Sequence, residues 1–578
     1  MLEQLLIAGV FLCLFSGLIF SSVSPAWLFT LAMSVCYLAG LVSTEELLGK
    51  ASNTGLVTLI LLLLVSVGLE KLSWLERLST RLVNAWYRRS LLRLGIVTAI
   101  FSAFVNNTAV VATLANSVRT SRHHLPSRLL MPLSFAAILG GTMTLIGTST
   151  NLIVSSFYED ATGAGLSFFA FLPVGGAATL VGLLVILVFS RLLPENPTEE
   201  VNVNEYLVEA EVSEDSPLVG HSIADNGLRD LEALFLVEIV RDEHLVSPVA
   251  PQEVIEAGDK LIFSGDISQV SLLERFAGLR LFATQEGLLR GNLTEVILLP
   301  GATVEGRTIK ESGFRSLFDA AVVGMRRGGK RLSGKLGGIT LQAGDSLMLA
   351  VGADFATRRN VDKNFLVVDQ SGIRSRTSTA HDIVLSAGLL LVVALGALEI
   401  VPLIKGVAIL LVVMLALGIV RSSELSRRFP FGMWLIIASA LTLSQALSNT
   451  GLVNVLAALL HSALDGQGAY MALIGVYLGT LLMTELMTNN AAAALVFPIA
   501  YGLAQSYGVD PMPFAMAVAF GASASFLTPY GYTTNLMVQN LGGYTLAHYF
   551  RYGFPLSVAY SLTVLFLLPR VFPFFPAA

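Results

Sequence analysis

The chain has 578 residues, 54% of them hydrophobic and only 13% charged, about half of the ~25% charged fraction usual in soluble domains. That composition excludes an ordinary water-soluble globule and points to a polytopic membrane protein. The net charge of -5 gives no reason to expect nucleic acid, and Cys13 and Cys36 lie in apolar runs without metal-ligand spacing, so they read as packing residues.

The charge is unevenly spread. Of the 77 charged residues, 48 fall between Pro194 and Asp382, leaving two apolar flanks, 1–193 and 382–578, around one polar insert. A bilayer core of ~30 Å takes ~20 apolar residues per helix. The first flank offers such runs at about 3–20, 24–42, 54–74, 129–157 and 165–193, and the second at about 383–400, 402–420, 430–447, 511–550 and 553–575. Glu3 precedes the first run and no basic n-region is present, so this run reads as a retained helix rather than a cleaved signal. Between the third and fourth runs of each flank lies an apolar segment with paired asparagines, 95–118 and 469–500.

Basic residues orient the chain. Arg77, Arg81, Arg88, Arg89 and Arg93 precede the first of these segments, and Arg119, Arg122 and Arg128 follow it, which makes both ends cytoplasmic. A segment that leaves and returns to one face is a re-entrant hairpin, with its tip near Asn106 and Asn107. The same counting places 194–382 in the cytoplasm and the N-terminus outside. The Arg421, Arg427 and Arg428 loop is then cytoplasmic, and the second hairpin enters from the opposite face.

The flanks also share strings. Phe104-Val-Asn-Asn-Thr-Ala-Val-Val-Ala112 matches Met487-Thr-Asn-Asn-Ala-Ala-Ala-Ala-Leu495, and Gly147-Thr-Ser-Thr-Asn-Leu-Ile-Val154 matches Gly531-Tyr-Thr-Thr-Asn-Leu-Met-Val538. Two motifs recurring in one order at nearly one separation, on opposite faces, predict an inverted-topology repeat and alternating access. The fold class is thus an α-helical polytopic membrane protein, an inverted-repeat transporter with two re-entrant hairpins and broken helices, plus a cytoplasmic α+β tandem-domain insert.

Unpaired amides are costly in hydrocarbon. Helix-to-helix hydrogen bonding would account for one lone asparagine, but duplicated pairs, each matched to a downstream Gly-x-[Ser/Thr]-Thr-Asn string, favour a functional site. Glycine and hydroxyl residues within long apolar runs suit helices that unwind at mid-membrane. Unwound carbonyls with Asn, Ser and Thr oxygens make neutral ligands for Na⁺, while N–H groups at half-helix N-termini favour an anion. The motifs contain no Lys or Arg, so an anion there needs co-bound cations. Glu485 is the one acid beside a motif. It reads either as a proton or cation site or as a residue at the water boundary. Asn151 and Asn535 are supporting candidates.

On these residues the chain resembles the divalent anion:Na⁺ symporter family, which includes dicarboxylate, citrate and sulfate carriers, across both flanks. The resemblance implies two Na⁺ sites with the substrate between them. The first would use Ser102, Asn106, Asn107 and Gly147, and the second Thr488, Asn489, Asn490 and Gly531. Asn106, Asn107, Thr108, Thr148, Asn489, Asn490 and Tyr532 would serve the substrate. The family's prolines are replaced by Ser149-Thr150 and Thr533-Thr534. The second tip reads as Thr488-Asn489-Asn490, or one residue later as Asn489-Asn490-Ala491. Ser52-Asn53-Thr54 and Ser448-Asn449-Thr450 are read as decoys, because they lack the spacing to the glycine-containing breaks. Sulfate is favoured over dicarboxylate, since extra amides at the tips can donate to an oxyanion. No organic cofactor is expected.

The insert is a tandem repeat offset by 86 residues: Gly220, Ile223, Gly227 and Arg229 match Gly306, Ile309, Gly313 and Arg315, and Ala257-Gly258-Asp259 matches Ala343-Gly344-Asp345. Short apolar runs bounded by Gly and Asp predict strands, with short helices near 267–277 and 311–318. The units 205–285 and 289–371 resemble TrkA-C domains (RCK C-terminal domains), regulatory modules of potassium channels and transporters. That implies a homodimer and control by a small ligand. Arg326-Arg327-Gly328-Gly329-Lys330-Arg331 reads as a solvated hairpin tip.

The expected function is sodium-coupled symport of a divalent anion in the plasma membrane. The rivals are a TrkA-C-gated ion channel, suggested by Tyr530-Gly531-Tyr532 although a potassium filter needs four copies of such a loop, and proton-coupled transport through Glu485. An enzyme is not expected, since the sequence carries no nucleophile, paired-carboxylate or metal-ligand arrangement, and His123 and His124 belong to a basic loop.

Overall fold

The computed structural model describes the chain apart from residues 1, 22, 70, 72–81, 120, 122, 197–206, 229–230, 232–233, 242–243, 247–248, 266–272, 274, 283–292, 300–301, 328–329, 333–335, 353, 356–357, 359, 368–378, 399, 453–454, 456–467 and 576–578. Arg77, Arg81, Arg122, Arg229 and most of the helix expected near 267–277 lie outside the described residues. Two compact units emerge, one of 1–195, 376–538 and 545–578, the other of 196–375 with 539–544.

The first flank forms α1 (Leu2–Phe20), α2 (Pro25–Leu38), α3 (Thr44–Ala51), α4 (Thr54–Leu69), α5 (Tyr87–Ser102), α6 (Asn107–Arg119), α7 (Leu130–Gly141), α8 (Ser149–Thr162) and α9 (Leu172–Val188). The insert carries strands and two short helices, α10 (Phe314–Phe318) and α11 (Val361–Asn364). The second flank forms α12 (Thr379–Ala397), α13 (Leu403–Ala416), α14 (Ser422–Arg427), α15 (Phe431–Thr450), α16 (Gly468–Leu486), α17 (Asn489–Ser506), α18 (Met512–Ser523), α19 (Thr533–Gly542) and α20 (Leu546–Val571).

Among the described residues six helical stretches are long and apolar enough to cross a bilayer: Leu2–Phe20, Thr44–Leu69, Leu172–Leu192, Phe431–Thr450, Gly468–Leu486 and Leu546–Val571. Phe550, Phe554, Val558, Leu562 and Phe566 recur every fourth residue along α20 and are all exposed, as are Leu180, Leu184 and Val188 on α9. Such apolar stripes are unsuited to water and suited to lipid. By contrast α7 is buried at every residue, and α18 from Pro513 to Ser523. These two apolar rods are the centres of the flanks: α5, α6 and α9 pack on α7, and α16, α17 and α20 pack on α18.

Helix ends depart from the apolar runs at several places. The run at 24–42 ends as a helix at Leu38, and a separate α3 follows, started by the reciprocal bonds of Ser43 and Glu46: Glu46 N donates to Ser43 Oγ at 3.2 Å and Ser43 N to Glu46 Oε2 at 2.8 Å. The first hairpin arm starts at Tyr87 rather than 95, and α12 at Thr379 rather than 383. The run at 511–550 becomes α18, α19 and the start of α20, which begins at Leu546 because Thr545 and His548 cap it.

In the insert, β1 (Leu207–Val212), β2 (Leu234–Arg241), β3 (His244–Val246), β4 (Lys260–Gly265) and β5 (Leu279–Phe282) form one antiparallel sheet in the order β3-β2-β4-β1-β5. β6 (Leu293–Leu298), β7 (Ala320–Arg327), β8 (Lys330–Arg331), β9 (Ser346–Val351) and β10 (Phe365–Val367) form a second in the order β10-β6-β9-β7-β8. The 86-residue offset carries each strand onto its counterpart, so the two orders are one topology. Even the bulge is copied, at Leu236/Glu238 and at Val322/Gly324. The helix expected at 311–318 is shorter, Phe314–Phe318.

The repeated Asp anchors each half. Arg241 Nε and Nη2 each donate to a separate Asp259 oxygen at 2.8 Å, and Glu256 N donates to the same carboxylate at 2.8 Å. Arg327 and Asp345 repeat this at 2.7 and 2.8 Å, with Gln342 N at 2.7 Å. Gly258 and Gly344 supply the left-handed turn before each Asp, at φ 81° and 85°. The Asp259 carboxylate raises the Arg241 guanidinium above its ordinary, already high range, so this fork stays charged at any working pH. Because the Asp259 side chain is wholly buried, Asp259→Ala should cost its half about 3 kcal/mol. Hydrogen exchange on the full chain should show β2 and β4 losing protection while β7 and β9 keep theirs; equal protection in all four would contradict that role.

Candidate functional site

Each hairpin tip is a helix start. α5 ends at Ser102 and α6 begins at Asn107, so Asn106 is the cap: its Oδ1 accepts from Thr108 N at 2.9 Å and its carbonyl from Val110 N at 3.1 Å. In the other tip Thr488 caps α17, with Oγ1 accepting from Ala491 N at 3.4 Å and its carbonyl from Ala492 N at 3.0 Å. Asn and Thr suit this position because a side-chain oxygen satisfies a free N–H of the first turn. Cap aligns with cap, so Asn107 corresponds to Asn489 and Thr108 to Asn490. This is the register Thr488-Asn489-Asn490, and the alternative one residue later does not match the helix starts.

The downstream motifs sit at breaks between half-helices, α7 to α8 and α18 to α19. Asn151 Nδ2 donates to the carbonyls of Gly141 and Thr144 at 3.3 and 2.8 Å. Asn535 Nδ2 does the same to Ser525 and Thr528 at 3.0 and 3.4 Å. In both cases the acceptors lie ten and seven residues back, so one amide replaces the lost helical donors across the unwound turn. Thr144 Oγ1 donates to Ala103 O, and Thr528 Oγ1 lies 3.4 Å from Glu485 O. These bonds tie each break to the hairpin of its own flank. A side chain at Gly147 would collide with Gly141 O, and one at Gly531 with Ser525 Oγ and Thr484 O.

The tips themselves reach across to the other flank's break. Asn107 Nδ2 donates to Tyr532 Oη at 2.7 Å, and Tyr532 Oη lies 2.9 Å from Thr148 Oγ1. Reciprocally, Ser149 Oγ donates to Asn490 Oδ1 at 2.9 Å and Asn489 Nδ2 to Thr150 Oγ1 at 3.0 Å. Ser102 Oγ donates to Asn107 Oδ1. Ser134 Oγ, from the middle of α7, lies 2.7 Å from Asn535 Oδ1 and 2.9 Å from Thr534 Oγ1. All these groups are uncharged amides and hydroxyls. Two buried oxygens in the breaks, Asn151 Oδ1 and Ser525 Oγ, have no hydrogen-bond partner among the described residues.

Of the residues singled out in the sequence, Asn107, Thr148, Asn489, Asn490 and Tyr532 therefore take part in the contacts by which each tip reaches the opposite break. Asn106 and Thr488 act as caps, and Asn151 and Asn535 as braces of the breaks. Ser102 joins through Asn107, and Gly147 and Gly531 allow close backbone approach. Ser134, Ser149, Thr150 and Ser525 were not assigned roles by their sequence. Ser134 is an isolated serine in an apolar run and Ser525 lies upstream of its flank's glycine-led motif, whereas Ser149 and Thr150 lie inside theirs.

Glu485 has a specific environment. Its Oε1 accepts from Phe526 N and Leu527 N at 3.0 and 2.9 Å, and its Oε2 from Thr528 N and Thr528 Oγ1 at 2.9 and 2.7 Å. Four donors converge on one carboxylate, which clamps the start of the second break. The Ser-Asn-Thr strings are elsewhere. Asn53 Oδ1 caps α4 through Gly55 N at 2.9 Å, and Asn449 Nδ2 donates to Leu41 O at 3.0 Å.

The model of the citrate transporter family CitMHS matches residues 12–521. The chain is 30% identical to the "Uncharacterized transporter sll0640" of Synechocystis, over 92% of this chain and 91% of that protein. It is 27% identical to the "Uncharacterized transporter YfbS" of Escherichia coli, over 93% and 94%. The "Sodium/sulfate cotransporter 1" of Chlamydomonas reinhardtii is 29% identical over 63% of this chain and 43% of that protein. These three relatives carry the names of transporters, not of enzymes, and six helical stretches among the described residues have the length and apolarity of membrane spans; the chain belongs to the citrate transporter family.

Proposed function

We propose that this protein is a sodium-coupled symporter of a divalent anion, with sulfate favoured over dicarboxylate, acting by alternating access between two inverted repeats in the plasma membrane. The observation that carries this reading is the crossed network, in which Asn107 of the first tip bonds Tyr532 of the second break while Asn489 and Asn490 of the second tip bond Thr150 and Ser149 of the first. Such a site forms only where the two flanks converge, so their relative movement would open it to one side or the other.

The chemistry supports a neutral cradle for opposite charges. Asn107 Oδ1 with Ser102 Oγ, together with Asn106 and Gly147, offers oxygens for one Na⁺. Thr488, Asn489, Asn490 and Gly531 would serve the second. Asn151 Oδ1 and Ser525 Oγ, buried without partners, are acceptors of the kind a hard cation or a water satisfies. With no cationic side chain in the network, cotransported Na⁺ supplies the charge that holds an anion. The name of the Chlamydomonas sodium/sulfate cotransporter agrees with this choice. The insert is read as a cytoplasmic pair of TrkA-C regulatory domains at residues 205–285 and 289–371, acting in a homodimer under a small ligand. The flanks, 1–193 and 382–578, are read as the two membrane repeats, with re-entrant hairpins at about 95–118 and 469–500.

In proteoliposomes, Asn107→Ala and Asn489→Ala should each reduce Na⁺-driven uptake of labelled sulfate at least tenfold without loss of protein from the membrane. Uptake at the level of the unaltered protein in both would remove the site, and unitary currents without substrate would favour a channel instead. Proton coupling through Glu485 is a separate test. Because all four of its partners donate, glutamine there turns an N–H toward another N–H. Glu485→Gln should therefore lose Na⁺-driven uptake at every pH between 6 and 8, whereas pH-driven uptake that is indifferent to Na⁺ in the unaltered protein and abolished by Glu485→Gln would mark a proton site.

A further inference from the structure

From the glycine to the bracing asparagine, Gly147-Thr-Ser-Thr-Asn151 and Gly531-Tyr-Thr-Thr-Asn535 differ strongly in side-chain size at one position. After the glycine the first flank has Thr148 and the second Tyr532, while the braces Asn151 and Asn535 and the hydroxyls between them correspond. The larger side chain has a specific destination. Its phenol spans from the second break to Asn107 of the first tip and to Thr148 of the first break, which is the space between the two flanks. A threonine at 532 would leave this span open.

The protons in this chain are informative. Ser102 Oγ donates to Asn107 Oδ1, and Asn107 Nδ2 to Tyr532 Oη. Between Tyr532 Oη and Thr148 Oγ1 either atom can be the donor, so one hydroxyl proton serves that contact and the other remains to be offered. On the opposite side Asn490 Oδ1 is taken by Ser149, which leaves the Asn490 Nδ2 protons facing away from that bond. Asn490 Nδ2 and one hydroxyl of the Tyr532–Thr148 pair thus remain as donors, and the phenol occupies the space between Asn107 and Thr148. A compact tetrahedral oxyanion presents acceptors at every corner. A chain dicarboxylate needs two separate donor clusters with room between them.

Resting on the symport reading above, we propose that Tyr532 is the specificity-determining residue of the anion site, its phenol filling the span that a dicarboxylate would occupy and leaving a site for a compact oxyanion of the sulfate type. Tyr532→Thr copies the first flank's residue into the second and removes the filler. Tyr532→Phe keeps the ring and removes only the hydroxyl.

The test measures Na⁺-driven uptake of labelled sulfate and labelled succinate in proteoliposomes, with cross-competition. The unaltered protein should take up sulfate and be unaffected by a hundredfold excess of succinate. Tyr532→Phe should raise the sulfate KM about tenfold and still exclude succinate. Tyr532→Thr should admit succinate as substrate or competitor. Succinate uptake by the unaltered protein, or succinate exclusion retained by an active Tyr532→Thr, would overturn the proposal while leaving the symport reading in place. No Na⁺-driven uptake of either anion would instead remove the symport reading. Should Tyr532→Thr not reach the membrane, thermal stabilisation in Na⁺ decides: the unaltered protein and Tyr532→Phe should be stabilised by sulfate and not by succinate, and stabilisation by both anions refutes the filter.

Discussion

Every unwound backbone group and every amide placed inside hydrocarbon must find a partner, and this requirement shapes the whole membrane unit. Two helices, α7 and α18, are interrupted, and each interruption exposes carbonyls and N–H groups that a continuous helix would pair. The protein answers with one device used twice. An asparagine early in the following half-helix, Asn151 or Asn535, reaches back to two carbonyls of the break. The hairpin tips do the rest by bonding to the break of the opposite flank, so neither flank completes its own polar centre.

The duplicated frame is most informative where it is unequal. Asn535 Oδ1 has Ser134 beside it, but Asn151 Oδ1 has no partner among the described residues. Glu485 clamps the second break through four donors, at the place where the first flank has Ala103. Tyr532 stands where the first flank has Thr148. These inequalities all lie at the breaks, where the two flanks exchange hydrogen bonds.

Much of this frame is legible in the chain because short strings at a fixed separation survive folding as local structure. The asparagine pairs and glycine-led breaks are such strings, and so is the 86-residue repeat of the insert, whose Asp259 and Asp345 anchors recur with their arginines. Other features depend on groups far apart in sequence. Nothing in the string around Asn107 names Tyr532 as its partner, 425 residues away. The register of the second tip needed the helix caps, since Asn-Asn aligned with Asn-Asn is the better match of letters and the poorer match of helix starts. Helix α3 is legible in Ser43 and Glu46, which spell a capping box, although its eight polar and apolar residues form no long apolar run.

The crossing of tips and breaks can be read directly by cysteine pairing. In a background with Cys13 and Cys36 replaced, Ser149→Cys combined with Asn490→Cys should form a disulfide readily in native membranes, and its formation should stop Na⁺-driven uptake until reductant is added. Failure of this pair to cross-link under conditions in which each cysteine alone reacts with a small thiol reagent would show that tip and break do not meet.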